Sequence, residues 1–240
     1  MIIFQTGFNF SQDGPGNRLV IHLQGCNMRC PWCSNPEGMD ARRAPEGSRD
    51  LTVGEVCSLI ESARPMMFSG GGVTFTGGEP SVQADELLAV LGYCRDRGID
   101  TAIESNACHP GLAGLLPLVD RPILDCKTPF DGKLRSLGGD PDTRRKNFDL
   151  ALSSGKTVAF RVPFIHGFND SDADITAFVG LFGALAGSFT VEILPYHEYG
   201  KSKWEKSGLE YKMTDAFVSA HTVEKFTSAL KTAGISVIKT

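Results

Sequence analysis

The sequence lacks long runs of one charge and long apolar runs. Its longest basic runs are residues 42–43 and 144–146, and its formal net charge is -4, so it shows no footprint for nucleic acid. Apolar windows such as residues 175–185 are interrupted well short of the ~20 residues that span a bilayer. The N-terminus also lacks a basic segment followed by an apolar one, the pattern of an export signal. We therefore expect a cytoplasmic protein that binds neither nucleic acid nor a membrane.

Internal repeats and low-complexity linkers are also missing, which predicts a single domain over residues 1–240. Strand-like and helix-like segments alternate along the chain, as in βα units around a parallel sheet. The predicted strands are residues 19–23, 73–76, 100–104, 123–125, 157–163, 190–194 and 236–238. The predicted helices are residues 52–63, 82–97, 112–118, 143–153, 172–186 and 214–232. Residues 34–50, which contain two prolines and two glycines, are predicted to form an irregular loop.

This alternation predicts an α/β fold, a partial (β/α)6 TIM-type barrel, with an open Rossmann-type sheet as the alternative. Ionisable residues follow or end several of the predicted strands, and these are Glu79, Glu104, Asp125, Lys127, Arg161 and His197. In a βα barrel the C-terminal ends of all strands open onto one face, where catalytic groups collect. We therefore expect these side chains to converge on one site.

Seven cysteines are present, an odd number that argues against a disulfide framework and for reduced thiols. Three of them, Cys26, Cys30 and Cys33, are spaced C-x3-C-x2-C in a predicted cluster loop at residues 25–35. The other four lie singly and are interpreted as small buried hydrophobic residues, namely Cys57, Cys94, Cys108 and Cys126. The sequence thus separates a metal-binding group of cysteines from structural ones.

A short loop with three thiolates can hold one corner of an iron-sulfur cluster or a zinc ion. Zinc would need a fourth ligand, and the nearest candidate, His22, lies within a predicted strand and away from the usual ligand spacing. The sequence therefore favours a cluster over zinc. Three ligands on a 4Fe-4S cluster leave one iron open, and an open iron allows catalysis.

The cysteine spacing, with Trp32 before the last cysteine, resembles the signature of the radical S-adenosylmethionine (SAM) superfamily. The segment Thr76-Gly77-Gly78-Glu79-Pro80 resembles the GGE(P) motif of that superfamily. The resemblance implies a partial or full βα barrel, one three-cysteine 4Fe-4S cluster, and SAM chelating the open iron. It also implies that the backbone and acidic side chain of this motif bind the amino group of SAM. Glycines would let a ligand approach the backbone closely there.

Three further segments resemble the activating enzymes of glycyl radical enzymes: residues 13–18 (DGPGNR), residues 69–74 (SGGGVT), and residues 194–204 with their LPYHEYGK and Lys-Trp pattern. This likeness runs over nearly the whole chain. A ferredoxin-like insert with extra clusters, found after the cysteine motif in many such activases, is missing here. Ser34 stands where a histidine often follows the last cysteine.

The resemblance assigns roles by position. It implies that Asp125, Cys126 and Lys127 form the D-x-K block that contacts the ribose and carboxylate of SAM, that His197 lies near the nucleoside, and that Arg161 is a site arginine. Glu104 and Ala107 occupy the place of an acidic residue and a glycine beside a monovalent cation, so that cation site is uncertain. The expected cofactor-binding residues are Trp32, Cys33, Ser34, Gly77, Gly78, Glu79, Glu104, Asp125, Cys126, Lys127, Arg161 and His197.

The function that the resemblance implies is reductive cleavage of SAM to a 5'-deoxyadenosyl radical under anaerobic conditions. That radical would take hydrogen from a glycine Cα of a partner glycyl radical enzyme, with electrons from a flavodoxin- or ferredoxin-type donor. A loop of Asp13, Gly14, Pro15 and Gly16 would meet the partner's glycine-bearing segment at the mouth of the barrel. Two alternatives remain: a radical SAM enzyme acting on a small molecule, and a non-catalytic zinc or iron-sulfur module.

Overall fold

The structure, a computed structural model, describes residues 1–239 and contains one continuous nine-stranded sheet. The strands in chain order are β1 (Ile2–Phe10), β2 (Asn17–Leu23), β3 (Arg49–Asp50), β4 (Val73–Gly77), β5 (Thr101–Ser105), β6 (Arg121–Asp125), β7 (Val158–Phe164), β8 (Phe189–Pro195) and β9 (Val237–Ile238). They pair in the order β3-β1-β2-β4-β5-β6-β7-β8-β9. From β2 to β9 all pairs are parallel, whereas β1 is antiparallel to both of its neighbours.

Helices cover the outside of this sheet. In chain order they are α1 (Val53–Ala63), α2 (Ala84–Asp96), α3 (Leu112–Leu115), α4 (Asp131–Ser136), α5 (Pro141–Ser153), α6 (Asp172–Gly183), α7 (Lys201–Lys206) and α8 (Ala220–Thr232). The predicted partial βα barrel of six main parallel strands is therefore confirmed. Within residues 1–239 no helix is long and apolar enough to cross a membrane.

The two faces of the barrel wall differ in polarity because side chains alternate along a strand. On β4, Phe75 is fully buried in the main hydrophobic core between sheet and helices. Its neighbours Thr74 and Thr76 instead make polar contacts inside the barrel, to Arg18 and Glu104. The barrel interior is thus lined with polar groups, and it can accept a polar ligand.

Local signals placed several helix starts correctly. Thr52 and Glu55 form a capping box at α1, with Thr52 N–H donating to Glu55 Oε2 at 2.8 Å. Ser171 and Asp174 form a second box at α6. The predicted start of the last helix was wrong, because the helix begins at Ala220 and not at residue 214. Ser219 caps it, accepting from Thr222 N–H at 3.1 Å, and Asp215 has a positive φ of 51° that is incompatible with a helix.

Four elements were not predicted: β1, β3, α4 and α7. The loop at residues 34–50 is correspondingly less irregular than expected, since it contains a 3-10 turn at Pro36–Gly38 and ends in β3. Of the four unpredicted elements, β1 matters most for the site. Its antiparallel pairing with β2 makes residues 11–16 the tip of a β-hairpin.

Candidate functional site

A cavity of about 270 Å³ lies at the C-terminal ends of the barrel strands. It brings together most of the residues expected from the sequence: Cys26, Cys30, Trp32, Cys33, Ser34, Gly77, Gly78, Glu104, Asp125, Lys127, Arg161 and His197. The wall also contains residues that the sequence did not single out, namely Met28, Asn35, Met39, Thr76, Asn106, Pro163, Ile165, Leu194, Pro195 and Tyr196. Most of these residues lie within or next to a recognised motif, and that position was the only feature of the sequence that could have placed them at the site.

The cysteine loop follows β2 and is held to the barrel by backbone hydrogen bonds. Cys26 N–H donates to the carbonyl of Met39 at 3.1 Å, and Arg29 N–H donates to the carbonyl of Leu137 at 2.8 Å. Within the loop, Cys33 N–H donates to the carbonyl of Cys30 at 3.1 Å. These bonds turn the three thiols toward the same cavity.

The thiols of this loop have the surroundings of cluster ligands. Met28 N–H donates to Cys26 Sγ and Asn35 N–H to Cys33 Sγ, each at 3.4 Å, and such donors stabilise a thiolate. Burial nevertheless raises the pKa of Cys26 and of Cys30 to about 12, and that of Cys33 to about 11. A cationic group is needed to keep all three deprotonated, and cluster iron supplies that charge.

The residues present therefore fit a 4Fe-4S cluster. A site for a single metal ion would need a tighter arrangement of ligands. Within residues 1–239 no three His, Cys, Asp or Glu side chains are arranged to hold one metal ion. A zinc ion would need its ligands within reach of a single point. The zinc alternative thus finds no support in the arrangement of these thiols.

The other four cysteines are buried, as expected, but two of them need comment. Cys126 is fully buried in the main core and does not line the cavity, so of the D-x-K block only Asp125 and Lys127 face it. Cys108 packs beside the cluster loop, in a small hydrophobic group with Met28 and Cys30. Its thiol also lies outside the cavity wall.

Glu79 is placed differently from expectation, because its side chain is 0% exposed and points into the protein instead of the cavity. Its carboxylate accepts from Ser81 N–H at 3.2 Å, Ser81 Oγ at 2.5 Å, Ser105 Oγ at 2.8 Å and Asn106 N–H at 2.7 Å. In this arrangement the carboxylate lies outside the cavity wall, and its expected contact with SAM stays a prediction. A buried carboxylate with four donors has its hydrogen-bonding capacity used by the protein.

Glu79 contacts the cluster loop indirectly, through Asn106. It fixes the backbone of Asn106, and the Asn106 side-chain amide donates to Asn27 Oδ1 at 2.8 Å and contacts Cys26 Sγ at 3.8 Å. The chain of contacts from the GGEP motif to the first cysteine thus runs through the end of β5.

The structure gives a second reason for a glycine at position 78, besides the expected approach of a ligand. A Cβ at this position would lie 2.1 Å from the carbonyl oxygen of Gly25 and 2.6 Å from that of Gly38. The close approach is therefore between the motif and the backbone around the cysteine loop. Gly78 N–H also donates to the carbonyl of Leu23 at 2.9 Å, and this bond ties the two segments together.

We expect Gly78→Ala to displace the cysteine loop and lower cluster content at least severalfold. Ala at neighbouring Ser81 is not a matched control because Ser81 binds Glu79, so Gly92→Ala serves instead, since a Cβ at Gly92 meets nothing within 4 Å. Iron and sulfide per chain after anaerobic reconstitution provide the measurement. Wild-type cluster content in Gly78→Ala would contradict this account.

The floor of the cavity contains a buried network of charges. The guanidinium of Arg161 donates to Glu104 and, at 2.9 Å, to Glu192. Thr76 Oγ1 also donates to Glu104, at 2.9 Å. Burial raises the pKa of Glu104, Arg161 opposes that shift, and the nearby carboxyl of Asp13 adds to it. Carboxyl groups thus outnumber cationic ones at this point.

Asp125 and Lys127, the ends of the D-x-K block, form an ion pair of 2.6 Å on the cavity wall. Burial alone would lower the pKa of Lys127, but the charge of Asp125, its hydrogen bond and the nearby thiols of Cys30 and Cys26 together raise that pKa. Lys127 is therefore a permanent cation at neutral pH.

Ala107, which follows β5, holds a left-handed φ of 59°. A glycine there would avoid a strain of about 1–2 kcal/mol.

His197 lines the cavity and stacks on Tyr199, with ring centroids 4.2 Å apart. Burial lowers its pKa, so its imidazole is neutral at neutral pH. Tyr199 N–H donates to His197 Nδ1 at 3.3 Å, and this leaves the proton on Nε2. The ring is thus available to donate one hydrogen bond to a ligand.

The segment after His197 is fastened to the cluster loop. Trp204 Nε1 donates to the carbonyl of Cys33 at 2.9 Å, and Lys203 Nζ donates to Asn35 Oδ1 at 2.7 Å. Lys203 also pairs with Glu37 at 3.0 Å. The Lys-Trp pattern noted in the sequence is therefore a clamp on the last cysteine.

Residues 13–16 lie in the hairpin loop between β1 and β2. Because this loop precedes β2, it lies at the N-terminal end of the barrel strands, opposite the cysteine loop. Gly16 is packed against backbone, since a Cβ there would lie 2.4 Å from the amide nitrogen of Gly71, and its φ is +70°. The shape of the loop is thus fixed by contacts with residues 68–71.

The tip of this hairpin bends into the barrel. Arg161 donates to the carbonyl of Gln12, and Thr74 Oγ1 donates to the carbonyl of Asp13 at 2.7 Å. The Asp13 carboxylate accepts from Asn9 Nδ2 at 2.6 Å. The loop therefore contacts the same arginine that lines the cavity floor.

The fold and the cysteine-lined cavity define a class. The family model of the radical SAM superfamily matches residues 20–179, and the chain belongs to that superfamily. Members of that superfamily bind a 4Fe-4S cluster and SAM, and the three cavity-facing thiols described above fit a cluster.

Named relatives narrow the comparison. The chain is 32% identical over 209 residues to a pyruvate formate-lyase-activating enzyme of Clostridium pasteurianum, covering 85% of each chain. It is 33% identical over 213 residues to the enzyme of that name from Staphylococcus aureus, covering 85% of this chain and 84% of the relative.

Solved structures share the fold. A radical SAM methyltransferase from Sphaerobacter thermophilus has a TM-score of 0.67 and 19% identity, covering 97% of this chain and 68% of its own. A domain of a pyruvate-formate lyase-activating enzyme from Bacteroides vulgatus has a TM-score of 0.57 and 21% identity, covering 70% of this chain and 98% of that domain.

Proposed function

We propose that this chain activates a glycyl radical enzyme by abstracting hydrogen from one glycine Cα of that partner. The observation that carries the proposal is that the hairpin tip at residues 11–16 reaches the floor of the cysteine-lined cavity, where the carbonyl of Gln12 accepts from Arg161. A partner segment at that loop would adjoin the place where SAM binds. Relatives named pyruvate formate-lyase-activating enzyme support the same reading.

The proposed reaction needs one electron from an external donor for each SAM that is cleaved. Cys26, Cys30 and Cys33 would hold the cluster, which when reduced would supply one electron to the sulfonium of SAM, with cleavage of the S–C5' bond to methionine and a 5'-deoxyadenosyl radical. Transfer of one hydrogen atom from the glycine Cα to that radical would leave 5'-deoxyadenosine and a backbone glycyl radical. The barrel contributes orientation and exclusion of water and competing hydrogen donors.

The residues of the cavity supply complementary contacts for SAM. The ion pair of Asp125 and Lys127 presents an acceptor for ribose hydroxyls and a cation for the SAM carboxylate. His197 offers its Nε2 proton near the nucleoside. The backbone at Gly77 and Gly78 lines the cavity and would bind the amino group. The proposal assigns these roles to the side chains and backbone that face the cavity, and leaves Glu79 and Cys126 out.

A monovalent cation beside Glu104 is part of the proposal. Asp13 and Glu104 both act on the guanidinium of Arg161. This excess of carboxyl groups favours an added cation. The setting would be an anaerobic cytoplasm, with a flavodoxin- or ferredoxin-type protein as the electron donor.

The proposed function is tested with reconstituted protein, excess SAM, a light-driven deazaflavin reductant and a pyruvate formate-lyase as candidate partner. We expect an electron paramagnetic resonance signal of a glycyl radical that depends on all components. A protein that cleaves SAM and modifies a metabolite without any protein partner would instead be the small-molecule enzyme. That result would overturn the proposal.

Asp13→Ala is expected to lower the radical yield on the partner, about tenfold at partner concentrations below saturation and at saturating SAM, with cluster content nearly unchanged. The carboxylate is the group of the loop that a partner backbone could contact, whereas the loop backbone keeps its bonds to Arg161 and Thr74. Gln12→Ala is the matched control, because it too removes one hydrogen bond from Asn9. Equal radical yields from Asp13→Ala and Gln12→Ala would leave the loop with a structural role alone.

A further inference from the structure

His22 is a partly buried histidine of β2 that the proposed reaction does not use. Its neighbours Ile21 and Leu23 are fully buried in the main core, so alternation along the strand turns His22 to the opposite face, the barrel interior. There it pairs in register with Thr76 of β4, which lines the cysteine-lined cavity. The imidazole itself is not part of that cavity wall. His22 therefore lies inside the barrel, beside the place where SAM would bind but not within it.

The imidazole of His22 has one enclosed nitrogen and one open nitrogen. Nδ1 is buried, and within residues 1–239 it has no hydrogen-bond partner, whereas Nε2 is not enclosed in this way. Burial lowers the pKa of His22, so the ring is neutral at neutral pH. The proton belongs on Nε2, because an N–H at the enclosed position would have no acceptor. The ring thus offers one hydrogen-bond donor in the barrel interior.

The unpartnered Nδ1 of His22 lowers the stability of the fold, and a phenyl ring in its place would avoid that cost. Phe4 already packs against the imidazole, with ring centroids 5.5 Å apart and an interplanar angle of 52°. A phenyl ring would keep this aromatic contact. A residue that is less favourable for folding than its simplest replacement is expected at functional positions. The structure therefore favours a role for the imidazole nitrogens other than packing.

The charged groups around His22 connect it to the hairpin tip. The carboxyl of Asp13 acts electrostatically on His22 and also on Glu104 at the floor of the cavity. The other charged groups that act on the imidazole are those of Glu37 and Lys203, which pair with each other at 3.0 Å. A segment that contacts Asp13 and reaches the cavity would therefore pass close to His22.

From these observations we propose that His22 binds the partner's glycine-bearing segment, by donating a hydrogen bond from Nε2 to a backbone carbonyl of that segment. This inference rests on the proposed function, in which the segment enters the barrel beside Asp13. An extended peptide presents an N–H and a C=O at nearly every residue. The Asp13 carboxylate accepts from one of these N–H groups, and His22 donates to one of the carbonyls. SAM is not the acceptor, because the imidazole lies outside the cavity wall.

Three substitutions separate the two ring nitrogens of His22. His22→Phe removes both and keeps an aromatic ring, His22→Gln places an amide nitrogen about where Nε2 lies, and His22→Asn places one about where Nδ1 lies. The matched control is His221→Phe, which removes an exposed imidazole from α8 on the outside of the barrel. Iron per chain is measured first, together with chemical denaturation of the apoprotein. We expect His22→Phe to unfold at a higher denaturant concentration than wild type, because the unpartnered nitrogen is gone.

Radical formation is then followed with pyruvate formate-lyase as partner, saturating SAM and the deazaflavin reductant. We expect His22→Phe and His22→Asn to raise the partner concentration for half-maximal rate about fivefold, as expected for loss of one neutral hydrogen bond. The maximal rate should change less than this. His22→Gln should recover most of the wild-type value, and the affinity for SAM should be unchanged in every variant.

An equal half-maximal partner concentration in wild type and His22→Phe would overturn the proposal, as would an equal rise in His221→Phe. Loss of SAM affinity in His22→Phe would also overturn it, since the imidazole would then bind SAM. If His22→Phe proves less stable than wild type, equal values for His22→Gln and His22→Asn would overturn the proposal instead. Failure of the proposed function has a different signature, which is the absence of any glycyl radical with the wild-type protein.

Discussion

Alanine at Cys26, Cys30 or Cys33 is expected to reduce reconstituted iron from about four atoms per chain to well under one and to abolish SAM cleavage. The reason is that each thiol faces the same buried cavity, so loss of one leaves two ligands and an open edge. Iron, sulfide and visible absorption measure the cluster, and 5'-deoxyadenosine measures cleavage.

Two buried cysteines are the controls for that series. Cys94→Ala lies in the main core and should keep its cluster at a cost in stability of about 1 kcal/mol. Cys108→Ala is the sharper control because Cys108 packs beside Cys30 without facing the cavity. A full cluster in Cys26→Ala, or its loss in Cys108→Ala, would show that the ligands have been assigned to the wrong thiols.

Glu79→Ala is expected to lower the free energy of unfolding of the apoprotein by about 3 kcal/mol or more. It leaves two buried backbone N–H groups, of Ser81 and Asn106, without acceptors, and each costs about 1–3 kcal/mol. Chemical denaturation of cluster-free protein measures this directly. The reconstituted variant should also hold its cluster less firmly, because Asn106 contacts Cys26.

Asp125→Asn is the contrasting variant. Its carboxylate faces the cavity and is 28% exposed, so the change leaves no buried backbone N–H without an acceptor, and it should weaken SAM binding. Comparable unfolding midpoints for Glu79→Ala and wild type would contradict the structural role given to Glu79. Unchanged SAM affinity in Asp125→Asn would contradict the role given to Asp125.

The contrast between these two carboxylates shows what sequence patterns could predict. The strand-end position placed both at the open face, and for Asp125 this was sufficient. Glu79 comes two residues after the end of β4, where the chain turns into the 3-10 segment Pro80–Gln83, and that turn directs its side chain inward. No periodicity in the sequence encodes the direction of a side chain in such a turn.

The parallel strands were predictable because their Val, Ile, Phe and Leu runs are short, continuous and separated by helices. The strand β1 was not, since its exposed residues include Phe8 and Phe10 while Gly7 and Asn9 interrupt it. Its pairing with β2 depends on tertiary contacts, which fix the hairpin loop at residues 11–16. The relation of that loop to Arg161 therefore could only come from the structure.

The glycines of the GGEP motif illustrate the same limit. The sequence correctly required small residues there, but the crowding atoms at Gly78 are carbonyl oxygens of Gly25 and Gly38, more than 35 residues away along the chain. A motif thus identifies a position of close approach without identifying what approaches. Packing between distant segments supplies that information.

The most direct test of the activase uses a candidate partner, such as a pyruvate formate-lyase, in which glycine is deuterated at Cα. After anaerobic reduction with SAM, mass spectrometry of the 5'-deoxyadenosine and electron paramagnetic resonance of the partner are measured on the same sample. The account predicts one deuterium in 5'-deoxyadenosine and a matching yield of glycyl radical. SAM cleavage with no deuterium transfer and no radical on any glycyl radical enzyme supplied would contradict it.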